Sequence, residues 1–511
     1  MRMKQERSQL KIGIVLNYIN MGLGNLIPIF YTPVMLALLG QSEYGLYKLS
    51  SSITSYLSLI SMGIGSAVTR YLIKAKAEKG QEEEERVLGL FMVIFQIIAV
   101  AALLIGTILT FNLQIWYGAS LTTTELSRMK ILVFIMVCNT ALSLSQSPYY
   151  SVVSSHEKFI FLQCIDIVST CIGPLLNLLM LFLGFASIGM AVSTLAVGVF
   201  CRTAYAVYIK RVLKIRPRYK NLPMGMLREI LQFSFWIFVA NIVGQLYNAT
   251  DTVMIGAVPA LATVGAAVYN VGATFNSIVF SLTTGVSSLL APKTNMMVFS
   301  GVSNRELTNL AIKIGRLQGY VFALVVTVFI AFGQPFLFYY AGADYADAYW
   351  VAIFMMVPNV IPLVQSVCLS VIIAQNKHRF RSLVYLVIAI INVVGTWILM
   401  NTSLGIIGAA LMTGVALVIG QGFAMNWYYQ KKTGLEMDRF WKEIGRIFLI
   451  PICLCALMLF LSKIINFYNI LIMLTGIAIY TIAYCVLCWR FVMNEYEKSL
   501  ILDIKKRILK R

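Results

Sequence analysis

The chain gathers its apolar residues into long unbroken runs, and this constrains its fold more than any motif does. Crossing the hydrocarbon of a bilayer takes roughly 20 predominantly apolar residues in helical form. Fourteen such runs are read near residues 12–38, 46–69, 88–111, 129–150, 160–183, 187–209, 230–256, 264–291, 317–340, 350–374, 383–402, 406–429, 446–465 and 470–490. Composition agrees: 59% of the residues are apolar and 12% are charged, against about 45–50% and 25% in soluble domains. A membrane barrel would show alternating segments of roughly ten residues, a pattern this chain lacks. The expectation is an all-α polytopic membrane protein of fourteen helices.

A net charge of +20 would suit a nucleic-acid binder if the cations shared one surface. Their distribution says otherwise. When loops are assigned to alternate sides, as fourteen spans require, 36 of the 41 Lys and Arg residues fall on one side. The other side holds only Lys48, Arg128, Lys130 and Lys463, and Arg202 lies inside a span. Such an excess marks cytoplasmic loops. Both termini and the loop "IKRVLKIRPRYKNLP" are therefore expected in the cytoplasm, with the charge reporting topology and contact with anionic membrane lipids, not nucleic acid. The basic N-terminal "MRMKQERSQLK" precedes a run longer than a signal-peptide core, so it reads as the lead-in to an uncleaved first helix.

Nine cysteines fall almost wholly within spans. "CLC" and "CVLC" therefore read as apolar packing or lipid-facing residues, not as metal or redox sites, which need a folded aqueous setting. Loops are short on both sides. "EEEE" at 82–85 reads as a solvated turn. The closing stretch "NEYEKSLILDIKKRILKR" reads either as an amphipathic helix on the inner membrane surface or as a topogenic tail.

A repeat organises the rest. "TPVMLALLGQSEYGLYKLSSSITSYLSLISMGIGSAVTRYLIK" begins at Thr32, and "TDTVMIGAVPALATVGAAVYNVGATFNSIVFSLTTGVSSLLAPK" begins at Thr250. Each breaks, resumes before a glycine (Gly45, Gly265), and ends in a small-residue helix followed by a cation. Six helices separate the copies, so both run the same way through the membrane, as in transporters built from parallel repeats. The expected organisation is a six-helix lobe at 1–210, a second at 211–430, and helices 13 and 14 with a basic cytoplasmic tail at 431–511.

At these residues the chain resembles a known family. Gly40, the Tyr44-Gly45 pair, Tyr47, Gly63 and the ending "AVTRY" resemble the first-helix-pair signature of the polysaccharide transporter family. These are the lipid-linked oligosaccharide flippases of the multidrug/oligosaccharidyl-lipid/polysaccharide exporter superfamily. "LREILQFSFWIFVANIVGQLYNATDTVMIG" is similar to that family's seventh helix, with Asp251 at its aspartate position. The resemblance implies flipping of an undecaprenyl-diphosphate-linked sugar unit across a bacterial inner membrane by two lobes that open alternately. It also implies a monomer that needs no cofactor, is coupled to a proton or sodium gradient, and works beside a polysaccharide polymerase and glycosyltransferases. In agreement, no G-x-x-x-x-G-K-[ST] nucleotide loop is present.

Three charges lie well inside spans. Asp166 on helix 5 and Arg202 on helix 6 sit at nearly equal depth, roughly 10 Å from the cytoplasmic surface at a 1.5 Å rise per residue. Two readings stand together: a mutual ion pair, and an Arg202 fork offered to a diphosphate while Asp166 holds it. Asp251, near Asn248, Asn270 and Asn276, reads either as a helix-end carboxylate at the mouth of a cavity or as an ion-coupling site. Lys48, Arg70 and Lys293 are further candidate substrate cations whose plainer reading is topogenic. Tyr31, Tyr44, Tyr47 and Tyr56 form one stripe suited to sugar stacking or to an interfacial belt.

Two other classes compete. A multidrug exporter of the same superfamily would rely on interior acids to bind cationic drugs, and here interior acids are few. A membrane-embedded glycosyltransferase or polymerase needs positioned acid/base groups. This chain offers two histidines, His156 and His378, both on the cytoplasmic side, and only Glu43, Glu125, Asp344 and Asp347 outside.

Overall fold

The computed structural model describes residues 2–61, 63–288, 294, 296–298, 300–375, 378–500 and 502. Within them, helices follow one another with short connections, and the chain divides into two compact units, Met1–Ala267 and Val268–Arg511.

In the first unit, α1 (Arg2–Ser55) bends at Gly40 and so carries both the first span and the start of the second. It is followed by α2 (Ile64–Lys79), α3 (Gln81–Tyr117), α4 (Thr123–Ser155), α5 (Phe159–Phe182), α6 (Ala186–Tyr208), α7 (Met226–Asn248) and α8 (Thr250–Ala257). α3 and α6 both pack along α4, and α1 packs along α5. Two apolar cores form between them: one around Phe91, Phe95 and Leu72, the other around Leu49, Met129 and Val133. A capping box starts α4, with Thr122 and Glu125 satisfying each other's backbone N–H.

α9 (Ala262–Ser288) leads into the second unit. There α10 (Asn304–Tyr340) is a long axis against which α17 (Met437–Leu461) and α18 (Ile470–Leu487) pack. Tyr320, Phe332, Ile447, Tyr480 and Tyr484 fill the core they share. Between them lie α11 (Ala348–Met356), α12 (Val360–Val364), α13 (Ser366–Ala374), α14 (His378–Met400), α15 (Gly405–Leu417) and α16 (Asn426–Lys432).

Eleven helices among the described residues are long and apolar enough to cross a membrane. The remaining expected spans are accounted for by the bend at Gly40, which runs spans 1 and 2 together, by α9, and by the tenth span, which is broken into α11, α12 and α13. Pro358 and Pro362 explain that last break, since each removes a backbone donor and crowds the preceding turn. The surface inverts that of a soluble protein: Phe30, Phe111, Ile115 and Leu471 are each about three-quarters exposed, as lipid-facing residues should be. All nine cysteines are free thiols, four of them buried.

Candidate functional site

The second span is discontinuous. α1 stops at Ser55, a tight turn occupies Tyr56–Ser61, and α2 begins at Ile64 after Gly63 with φ 70°. The serine spacing explains the tightening. Ser55, Ser58 and Ser61 each donate to the carbonyl three residues back, at 2.6, 2.7 and 2.8 Å, which offers the backbone an alternative to the α-helical ladder. Gly63 is required twice over: its φ suits glycine, and a Cβ there would come within 2.7 Å of Ile237 on α7. Broken membrane helices persist where the freed polar groups face protein or a cavity. Here α7 covers the break: Gln245 donates to Ser55, and the Tyr56 hydroxyl lies 2.5 Å from that of Thr250. Asp251, 1% exposed, follows in the first turn of α8, where a carboxylate complements the helix dipole. It acts electrostatically on Tyr56.

Lys48 lies about two turns before this break. Its ammonium sits 5.5 Å from the centre of the Tyr44 ring and beside Tyr47, while Tyr31, facing Asn177 of α5, stands next to both tyrosines. Lys48 is half-buried, and no carboxylate among the described residues lies within ion-pair distance of it. The tyrosine stripe is thus partly a cage around a cation, with Tyr44 fully buried.

The expected Asp166–Arg202 ion pair is not formed. Tyr205, one turn beyond Arg202 on α6, donates its hydroxyl to Asp166, and Arg202 donates to Ser145 of α4. The two side chains turn to different neighbours around their helices. Tyr205 is held towards α5 by Phe161, 5.9 Å away edge to face, and reaches the carboxylate first. Arg70 is exposed on α2. Lys293 lies outside the described residues.

The two ends of the first unit are tied by charges that the sequence did not pair. At the end away from the basic loops, Glu43 holds Arg128 and accepts from Ser187. Glu125 accepts from Ser42 at 2.6 Å and from Thr263 at 3.1 Å. Glu125 precedes the fourth span. Burial pushes its carboxyl up, but hydrogen bonds from Ser42, Thr122 and Thr263 outweigh that and hold it below the usual glutamate range. A Cβ on Gly45 would lie 1.8 Å from the Thr263 carbonyl oxygen, so only glycine admits this approach. Gly45 thus meets the backbone two residues before its repeat counterpart Gly265.

At the basic end, "EEEE" is not a solvated turn. Glu84, 0% exposed, pairs with His156 at 2.7 Å, and Glu85 takes Arg218 at 2.9 Å. Lys76 approaches His156 from α2. In the second unit, Arg316 on α10 forks onto Glu497, with 2.6 and 3.0 Å bonds, so the closing stretch begins docked onto protein. Each of these contacts joins loops of the same parity in the fourteen-span count. Polar pairs also bridge helices inside this unit: Asn359, at the break in the tenth span, donates to Asn276 at 2.6 Å, and Gln365 to Asn426 at 2.6 Å.

A bundle of this kind, with a span broken beside a half-buried lysine and a buried aspartate, defines a polytopic α-helical membrane protein. The chain belongs to the polysaccharide biosynthesis protein family, whose model matches residues 12–290, more than half of its length. It is 22% identical over 492 residues to the uncharacterized membrane protein EpsK of Bacillus subtilis (strain 168), covering 93% of this chain and 94% of that one. Its fold is similar to that of lipid II flippase MurJ in an inward closed conformation, with TM-score 0.69 and 16% identity over 94% of this chain and 100% of that one. It is also similar to VcmN, a MATE transporter of Vibrio cholerae, with TM-score 0.58 and 17% identity over 84% of this chain and 98% of that one.

Proposed function

We propose that this transporter moves a diphosphate-linked oligosaccharide lipid from the inner to the outer leaflet of a bacterial cytoplasmic membrane, for cell-surface polysaccharide synthesis. The observation that carries the reading is Lys48, a half-buried cation in a tyrosine cage with no carboxylate within ion-pair distance among the described residues. Interior charges in membranes are costly and usually paired. An unpaired one beside a broken helix suits an anion that arrives and leaves, and the surrounding rings suit sugar faces. Arg202, bonded to the neutral Ser145, gives a second cation able to grip phosphate as a fork. In this reading lobes 1–210 and 211–430 open alternately, both termini are cytoplasmic, and Asp251 with Asp166 couples the cycle to a proton or sodium gradient. The cargo would come from glycosyltransferases and pass to a polymerase.

The test is delivery of labelled glycolipid to the outer leaflet by folded Lys48→Gln and Arg202→Gln proteins. Loss of delivery in both is expected, and normal delivery in both refutes the lumen-cation mechanism. A second reading, ion-coupled multidrug export, draws on the buried Asp251 and the MATE-like fold. Drug efflux by the wild type without glycolipid transport would establish it in place of the first.

A further inference from the structure

The last described turn of the chain is built more rigidly than a topogenic tail requires. α18 ends in a widened turn, Cys488–Val492, after which Met493 is extended. Asn494 and Glu497 then form a reciprocal cap: the Asn494 side chain accepts from Glu497 N at 2.9 Å, and Glu497 accepts from Asn494 N at 2.9 Å. The same carboxylate takes the Arg316 fork and the Tyr320 hydroxyl. Lys313 caps the Tyr496 ring at 3.5 Å. The next residue, Lys498, faces a different surface.

There Lys498 and Arg490 line one open cavity of about 540 Å³ with Trp489, Val486 and Cys485. No carboxylate among the described residues lies within ion-pair distance of Arg490. Lys498 reaches only Glu495, at 3.4 Å, whose side chain is 93% exposed. Above the cavity, Ile479, Ile482 and Val486 form an exposed apolar stripe at helical spacing along α18. The run Ile470–Val492 has 23 residues, roughly 34 Å at 1.5 Å per residue, enough to place Trp489 and Arg490 at the far edge of a hydrocarbon layer of about 30 Å.

We infer that this cavity is a binding site for an anionic glycerophospholipid of the inner leaflet. Arg490 and Lys498 take the headgroup phosphate, Trp489 lies at the headgroup level, and the apolar stripe of α18 follows the acyl chains. Charge and apolar surface meet here in the order a lipid presents them. A soluble phosphate would have no use for the stripe, and a peptide or protein partner would leave it facing lipid regardless. The inference does not rest on the cargo of the transporter.

The purified full chain in detergent, offered equal amounts of phosphatidylglycerol and phosphatidylcholine, should retain phosphatidylglycerol in native mass spectrometry. Arg490→Gln/Lys498→Gln should weaken that retention by about 30-fold, two basic residues' worth of attraction at an anionic surface. Brominated phosphatidylglycerol should quench a tryptophan component that is missing in Trp489→Phe, which tests the site without removing any charge. Unchanged preference in the double variant, or identical quenching in wild type and Trp489→Phe, overturns the site. Displacement of the lipid by millimolar inorganic phosphate would show that the cations read phosphate alone, and would overturn the lipid assignment.

Discussion

Glu497→Gln removes one charge from the most deeply buried ion pair described in the second unit. The Arg316 and Glu497 side chains are 5% and 2% exposed, so solvent screening offers little relief. Breaking a buried pair by removing one partner costs about 3–5 kcal/mol, because the other charge is left uncompensated. Two features bear on where in that range the cost falls. The carboxylate of Glu443 stands 3.7 Å from Arg316 and can take up part of its charge. Against that, the Tyr320 hydroxyl and Asn494 N–H also lose a charged acceptor. At about 2–4 °C per kcal/mol for a unit of 150–250 residues, the apparent melting temperature should fall by about 6–20 °C, read by tryptophan fluorescence of detergent-purified protein. Replacing both residues by methionine should restore most of the loss, since an apolar pair of similar volume is often neutral in such a site. A fall of under 2 °C in Glu497→Gln, or equal losses in the single and double variants, would refute the argument that an uncompensated buried charge sets the cost.

A cysteine at Lys220, exposed in the 210–229 loop, should be labelled only from the cytoplasmic side in a cysteine-free background; labelling from outside would break the fourteen-span parity. Gly45→Val should abolish folded yield in size-exclusion profiles, because the Thr263 carbonyl leaves no room for a Cβ and overpacking a tight contact costs about 1–3 kcal/mol or more; an unchanged profile would mean the two backbones can part cheaply. Because the folded-state pKa of Glu125 is lowered, its contribution is complete above the unfolded value near 4.3 and is lost as pH falls through the lower folded one. Glu125→Gln should therefore be less stable than the wild type at neutral pH and should flatten the acid limb of the stability profile, and an unaltered limb would remove the carboxylate from the outer-end tie.

The succession of membrane-length helices was legible because it depends on run length alone, and the parity of the loops was read from where each loop's cations fall. Loop contacts agree with that parity: Glu84 with His156, Glu85 with Arg218 and Arg316 with Glu497 join loops on the basic side, while Glu43 with Arg128 joins loops on the other. What stayed hidden depends on direction around a helix or on distant partners. Asp166 and Arg202 are expected at matched depth from residue counting, yet depth does not fix azimuth, and the Asp166 carboxylate meets Tyr205. Glu84 and Glu85 read as solvated because their partners, His156 and Arg218, lie 72 and 133 residues away. The break in the second span has a signal in the sequence, since serines three residues apart leading to a glycine favour a tight turn. The break in the tenth span was also written in the sequence, in Pro358 and Pro362.

The distribution of neutralised charge separates structure from function more clearly than any single residue does. At the ends of the units, charges are compensated within the protein by Glu43–Arg128, Glu85–Arg218 and Arg316–Glu497. Inside the first unit the pattern changes. Lys48 rests on an aromatic ring, and on the α5–α6 hairpin Arg202 rests on a serine hydroxyl and Asp166 on a tyrosine hydroxyl, each with a neutral partner. A fixed internal ion pair would be spent on holding the fold, whereas a charge met only by neutral groups keeps most of its field available to something mobile. In the proposed function, two cations held this way would receive a divalent anionic group such as a diphosphate and repel a cationic drug. Asp166, held this way, can take and release a small cation without a competing ion pair. Cargo and coupling ion would then carry opposite signs and act on different residues, so Lys48→Gln and Asp251→Asn should impair transport by separable routes, the first in cargo binding and the second in its dependence on the ion gradient.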